Sequence, residues 1–511
     1  MTTDPAAAPA VWTPTLNYAA LAVFLFFFLL VTVMGFVAAR WRKPETLAHI
    51  DEWGLGGRNF GTWITWFLVG GDFYTAYTVI AVPALVYAVG AYGFFALPYT
   101  IVVYPFVFLV MPLLWKKAKE MNYVTSADIV HGKYNSRALE LVVAITGVVA
   151  TMPYIALQLI GMEAVIKALG LSGISVGPIH NFPLTIAFLI LAFYTYSSGL
   201  RAPALIAFVK DIMIYIVVIV AVIVVPLKLG GYGAVFDKAG ADFAAAGKGG
   251  LLLGGNQMAA YATLALGSAL AAFMYPHTLT GIFASNSANT IRKNAVLLPA
   301  YTLLLGLIAM LGYMGHAAGI KVATNNDIVP ALFDTLFSGW FAGFAYAAIG
   351  IGALVPAAVM SIGAANLFTR NFWKAYVNPE VTPAGEAAVA KVTSLVVKVG
   401  ALLVIVYLPT KFALDLQLLG GIWILQTLPA LVFGLYTNWF RAPGLLAGWA
   451  VGFVGGSWMA WGPEGLKPLQ ALPFGGPAGT TVYIGLVALA LNVAVAVAVN
   501  LVTARRPVAA A

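Results

Sequence analysis

Val69-Gly70-Gly71-Asp72-Phe73-Tyr74-Thr75-Ala76-Tyr77-Thr78-Val79-Ile80-Ala81-Val82, followed by Pro83, lies in the middle of an apolar run over 60–89. A plain membrane helix would fill that run with Leu, Ile and Val. Here it holds two adjacent glycines, a carboxylate, two threonines and two tyrosines. In lipid, irregular backbone and ionisable groups persist only where they are buried in protein or line a watery cavity. The stretch therefore reads as a broken helix that carries a site. The plainer reading of the same residues is a helix contact packed on its glycines, with a neutral, hydrogen-bonded Asp72.

The rest of the chain supports a membrane setting. Of 511 residues, 62% are hydrophobic and 9% charged, and the mean hydropathy is +0.93. Soluble domains carry about 25% charged residues. The net charge of +9 would point to nucleic acid in a soluble chain, but these basic residues stand at the ends of apolar runs, as membrane loops do. No nucleic-acid partner and no obligate protein partner is expected. The chain has no cysteine, which excludes disulfides, thiolate metal sites and cysteine nucleophiles. Its five histidines form no His-x-x-x-His pair for zinc. Residues 1–15 have no basic residue ahead of the apolar run, so a cleaved signal peptide is not expected. Gly247-Lys248-Gly249 lacks the spacing and hydroxyl of a phosphate loop, and no hydrophilic stretch is long enough for a soluble module. Neither ATP-driven work nor enzymatic activity is expected.

Runs long enough to cross about 30 Å of hydrocarbon number about thirteen. They cover 16–41, 60–89, 92–114, 138–169, 184–198, 204–227, 258–285, 295–317, 336–368, 392–408, 414–435, 442–461 and 481–502. Alternate loops collect the Arg and Lys residues, among them Arg40, Arg42, Lys43 and Arg58, then Lys116, Lys117 and Lys119, then Arg292 and Lys293. The positive-inside bias puts the N-terminus outside and the C-terminus inside, which requires an odd number of spans. Residues 123–137 read as a short helix on the inner side, capped by Thr125 or Ser126 and ended at Gly132. The Gly- and Ala-rich segment 230–256 faces outside.

A second interruption falls five spans later, at Leu266-Gly-Ser-Ala-Leu-Ala-Ala-Phe-Met-Tyr-Pro-His-Thr-Leu-Thr-Gly281. Pro276 removes a helix hydrogen bond and clashes with the preceding turn. By loop parity the two interrupted spans run in opposite directions. That is the pattern of an inverted repeat of five-helix units with a site at its midplane, although Gly and Pro are frequent in membrane helices generally. A third stretch, 356–370, holds Ser361 among small residues. Its hydroxyl, with carbonyls freed by a broken helix, suits a small cation; bonding its own helix backbone is the alternative.

These stretches resemble the sodium/solute symporter family. The resemblance is carried by 51–57 (DEWGLGG), 75–90 (TAYTVIAVPALVYAVG), 125–137, 197–211 (SSGLRAPALIAFVKD) and 357–369 (AAVMSIGAANLFT), and covers nearly the whole chain. Within the family, 275–294 (YPHTLTGIFASNSANTIRKN) and 418–433 (LLGGIWILQTLPALVF) look most like bacterial monocarboxylate permeases. The resemblance implies a single all-α transporter domain over 1–511 with a LeuT-type 5+5 inverted repeat. A leading helix at 16–41 precedes repeats over 60–227 and 258–435, and two extra helices follow at 442–502.

It also implies a Na⁺ site formed by the carbonyls of Gly71, Tyr74 and Ala358 and the hydroxyl of Ser361. The family's second hydroxyl after that serine is Ile362 here, which cannot coordinate and leaves proton coupling open. Substrate positions map onto Thr78, Ser268 and Gln426, and the aromatic gate position onto Ala271, which argues for a small substrate. Thr75 and Tyr77 join these as candidates to hold a carboxylate. Gln158 either faces the same cavity or forms an interhelical hydrogen bond. Asp72 stands one position from the family's usual aspartate and is a candidate to tune the cation or carry a proton. Lys210 and Asp211 are expected to pair near the inner surface. The expected function is cation-coupled import of small monocarboxylates such as pyruvate, lactate or propionate across a bacterial inner membrane. The alternatives are proton coupling, Na⁺ symport of another small solute such as an amino acid or pantothenate, and a non-transporting membrane sensor.

Overall fold

The computed structural model describes residues 10–41, 48–71, 74–176, 182–407, 413–463, 465–472 and 479–504. Helices occupy all thirteen stretches expected from the sequence. By length and composition, nine of the helices among the described residues can each cross a membrane, and ten if the bent pair Gly255–Ala272 and Pro276–Phe283 counts as one. Phe182–Ser198 is a shorter apolar helix.

The core helix is Gly339–Phe368. It is buried along almost its whole length because it is built from Gly, Ala and other small residues that let neighbouring backbones approach. Around it pack Arg137–Ala168, Tyr18–Val37, Arg201–Lys228, Pro383–Tyr407 and the short Pro276–Phe283. Ala442–Ala460 and Ile484–Ala504 pack mainly on each other and touch the rest at Leu414–Ile424, Leu425–Thr427, Met258–Ala272 and Arg137–Ala168.

Both expected breaks are present. Thr62–Gly71 ends at the double glycine, and Tyr74 and Thr75 form a bend. The chain re-enters helix through a π turn, Tyr77–Ala81, ahead of Val82–Val89. A π turn is the kind of interruption found at functional sites. The second break bends the axis by 47°. Its cause is local: Tyr275 is extended (φ −62°, ψ 140°) and Pro276 starts the next helix, as expected for a residue preceding proline.

Three details depart from the sequence reading. The short helix Ser126–Tyr134 does carry the Thr125 cap, completed by Asp128 as a capping box, but it runs past Gly132 to a left-handed Asn135. Asn tolerates that conformation, so the glycine is not needed as the stop. The segment before the last helix is not helical from 481: Thr481–Tyr483 pairs antiparallel with Leu469–Ala471, and Trp461–Gly462 with Gly465–Leu466. Finally, Lys210 and Asp211 do pair, at 3.0 Å, but both side chains are wholly buried. The helix starts at Arg201, so Lys210 is about 13 Å along it, well inside the bundle.

The end of the molecule that carries the basic loops is closed by ion pairs. Arg201 donates to the Glu52 carbonyl (2.7 Å) and side chain (2.5 Å). Arg370 and Lys374 both reach Glu386 at 2.9 Å. Asn371 donates to Asp128 (2.7 Å) and Glu140 (2.8 Å) and accepts from Thr125 (2.7 Å).

Candidate functional site at the two helix breaks

Breaking a helix leaves carbonyls and N–H groups without intrahelical partners. At the first break the protein supplies side chains for them. Gln158 Oε1 accepts from the Ala76 N–H at 3.0 Å while its Nε2 donates to Tyr154 O at 3.3 Å. Thr75 Oγ1 accepts from the Tyr77 N–H at 3.0 Å. Gln158 is thus a strut for the break.

The carbonyls of Gly71 and Tyr74 converge on Lys210. Its Nζ donates to Gly71 O at 2.7 Å and Tyr74 O at 3.1 Å, with Asp211 Oδ1 at 3.0 Å. Asp211 Oδ2 in turn accepts from the Tyr301 hydroxyl at 2.7 Å. A side chain at Gly71 would put its Cβ 2.9 Å from Lys210 Nζ, so the glycine is what lets the ammonium reach the carbonyls.

The other two expected sodium ligands lie elsewhere in the hydrogen-bond pattern. Ser361 Oγ donates to Ala358 O at 2.8 Å. The Tyr74 carbonyl faces the same long helix at Gly352, where a Cβ would come within 3.8 Å of it. Ala358 is six residues further on, about 9 Å of helix rise. An ion touching the Gly71 and Tyr74 oxygens would have to displace the ammonium or sit against it, and like charges so close are strongly unfavourable in a dry interior. The residues present do not fit a sodium ion at this position.

Of the substrate candidates, Thr75, Tyr77, Thr78, Gln158 and Ser268 are all buried beside the breaks. The hydroxyls of Tyr77 and Ser268 have no hydrogen-bond partner among the described residues. Gln426 is turned away: it donates to Ile422 O at 2.8 Å, and its carbonyl groups accept from Asn492 at 3.0 and 3.1 Å. Asp72 lies outside the described residues.

A cavity of about 360 Å³ leads in from the end opposite the ion pairs, lined by Leu85, Tyr92, Leu264, Leu418 and the pair of charged residues Asp415 and Lys467. At the basic end the cleft between Thr125, Thr280, Gly363 and Asn366 holds only about 10 Å³, whereas a cavity of about 320 Å³ lies against Arg201, lined by Trp41, Gly56, Asn59 and Phe60. The sequence reading missed Tyr301 and the cavity beside Asp415 and Lys467 altogether. The Lys210–Asp211 pair was visible, and the available signal was its depth in an apolar run, where ionisable residues mark function by default.

Paired broken helices around a small-residue core define a polytopic membrane transporter fold. Residues 53–452 match the sodium:solute symporter family model, and the chain belongs to that family. It is 77% identical over 499 residues, covering 98% of this chain and all of the relative, to the monocarboxylate transport permease protein of Rhizobium johnstonii. It is 34% identical to the uncharacterized symporter YodF of Bacillus subtilis, covering 86% and 88% of the two chains. Among solved structures it is similar to the substrate-bound outward-open state of a Na⁺-coupled sialic acid symporter, with a TM-score of 0.75 at 14% identity over 95% of this chain and 98% of that one. The fold is the LeuT-type all-α fold expected from the sequence.

Proposed function

We propose that this protein is a cation-coupled symporter that imports small monocarboxylates such as pyruvate, lactate or propionate, and that it is not an enzyme. The geometric observation that carries the reading is the pair of buried, unpartnered hydroxyls, Tyr77 and Ser268, one beside each helix break. A carboxylate accepts from hydroxyls without needing a fixed cation, and charge-assisted bonds of that kind are the strong ones. The 77% identity to the Rhizobium johnstonii monocarboxylate transport permease protein supports the substrate class. Thr75 and Thr78 complete the seat, with Gln158 bracing the break; Gln426, bonded to Asn492, stands outside it.

The division into a leading helix, repeats over 60–227 and 258–435, and two trailing helices belongs to this reading. So do thirteen crossings with the N-terminus periplasmic and the C-terminus cytoplasmic in a bacterial inner membrane. In this frame the large cavity faces the periplasm. Substrate enters there, seats at the breaks, and the ion-paired end then opens; the ion drives the change only through its different affinity for the two states. Sodium is the ion that the family and the sialic acid neighbour support. A proton, with Asp72 as a candidate carrier, is the second reading, favoured by the Lys210 ammonium on two of the four expected sodium ligands.

Uptake of labelled pyruvate into proteoliposomes, with Na⁺ and pH gradients imposed separately, tests this. Accumulation under one gradient is expected. None under either, together with no pyruvate exchange at equilibrium, overturns the substrate assignment.

A further inference from the structure

We propose that the Lys210 ammonium permanently fills the cation position at the first helix break, so that this transporter neither binds nor uses sodium there. This deepens the symporter reading above and rests on the fold rather than on the substrate.

An ammonium has three N–H donors and no acceptor. Lys210 donates to the Gly71 and Tyr74 carbonyls at 2.7 and 3.1 Å, and its Nζ forms an ion pair with Asp211 Oδ1 at 3.0 Å. The first two oxygens lie on the two sides of residues 72–73, so a single positive charge joins the ends of the interruption and ties them to the helix Arg201–Lys228. That is the work a coordinated cation does in holding freed carbonyls of a broken helix. The charge is matched: Asp211 is wholly buried beside it, and the Tyr301 hydroxyl holds the other carboxylate oxygen at 2.7 Å. Tyr74, Tyr215 and Tyr301 meet one another beside the pair in edge-to-face and tilted contacts, with centroids 4.6 to 5.9 Å apart. Tyr215 is one turn on from Asp211.

The rest of the surroundings agree. Ile362 offers no oxygen where a second hydroxyl would be wanted, and Ser361 is bonded to its own helix. Gly71 has no side chain to obstruct Nζ. A tethered ammonium cannot leave with the substrate. Whatever ion gradient drives accumulation therefore enters by a different group, and removal of sodium leaves this joint intact.

Two measurements decide the proposal, and one of them needs no substrate. Thermal unfolding of the purified protein is compared in sodium chloride and choline chloride; equal midpoints are expected, and a sodium-specific rise of several degrees that Ser361→Ala abolishes overturns the proposal. Pyruvate counterflow without any ion gradient is then measured in the same two salts, with equal rates expected. A tenfold stimulation by sodium overturns it. Lys210→Ala is expected to lose stability and most counterflow in choline, and to recover part of both when sodium can reach the vacated carbonyls. A folded Lys210→Ala protein with full counterflow in choline also overturns the proposal. If that variant does not fold, the salt comparison decides alone. Absence of pyruvate counterflow in wild type, with unfolding indifferent to sodium, removes the monocarboxylate assignment and leaves the lysine assignment standing.

Discussion

At the scale of single residues, the same chemical group does different work according to what already occupies it. Thr75 and Gln158 spend their oxygens on backbone N–H groups of the break; Tyr77 and Ser268 keep theirs uncommitted. Substrate binding is therefore expected to be far more sensitive to the second pair. Tyr77→Phe keeps the ring and removes only the hydroxyl. It is expected to leave the thermal midpoint nearly unchanged and to raise the KM for pyruvate by roughly tenfold or more, the worth of one hydrogen bond to a charged group. An unaltered KM in counterflow would take Tyr77 out of the site.

Among elements, the joints that matter are polar ones placed where apolar packing could not specify a register. Asn371 is the clearest. It is fully buried and links the short helix Ser126–Tyr134, through Thr125 and Asp128, to Glu140 on Arg137–Ala168. Asn371→Leu leaves two buried carboxylates short of a donor, and a loss of about 3 kcal/mol is expected. Thermal unfolding of the purified variant measures it; a shift of under a degree would mean that the pairs around Asn371 rearrange freely.

On the opposite side the helix Tyr232–Ala246 is tied to the bundle by Asp242, which lies 2.8 Å from Lys238 and 3.2 Å from His316. Burial alone would raise the Asp242 carboxyl, but hydrogen bonds from Lys238 and His316 and the charges of Lys238 and Lys321 outweigh it, and its pKa lies below the usual value. A depressed carboxyl stabilises the folded form fully above its unfolded value of about 3.9. That contribution is lost as the pH falls through the folded value. Hydrogen-exchange protection across 232–246, taken relative to the intrinsic rate at each pH, is therefore expected to fall below about pH 4 in wild type. In Asp242→Asn it should be low at every pH, and equal pH profiles would rule the tether out.

At the scale of the molecule, the cleft between Thr125, Thr280, Gly363 and Asn366 at the basic end holds only about 10 Å³, against about 360 Å³ for the cavity beside Asp415 and Lys467. The closed end is held by Arg201–Glu52 and by Arg370 and Lys374 on Glu386. Weakening these pairs should shift the population toward the state in which that end is open, by about tenfold for each 1.4 kcal/mol. The chain has no cysteine, so a single Thr280→Cys reports on the closed cleft without background. Its labelling by a membrane-impermeant maleimide is expected to be slow, and several-fold faster when Arg370→Gln is added. Equal rates would show that the ion pairs do not hold the cleft shut.

Much of this architecture was legible because the bilayer enforces it. Length and apolarity set the spans, and glycine and proline placed both interruptions, since backbone rules act within a few residues of the chain. The hydroxyls beside the breaks were legible for the same reason. What remained hidden depended on distance across the bundle. Nothing local says that Lys210 reaches carbonyls more than 130 positions earlier in the chain, that Gln426 is spent on Asn492, or that Tyr301 holds Asp211. A side chain's partner in three dimensions is decided by helix packing, and the sequence carries only its capacity to bond. The sequence by itself determined that this is a polytopic transporter of broken, oppositely directed helices. The tertiary structure decided which charge sits at the first break, because only folding brings the helix Arg201–Lys228 against the carbonyls that the break sets free.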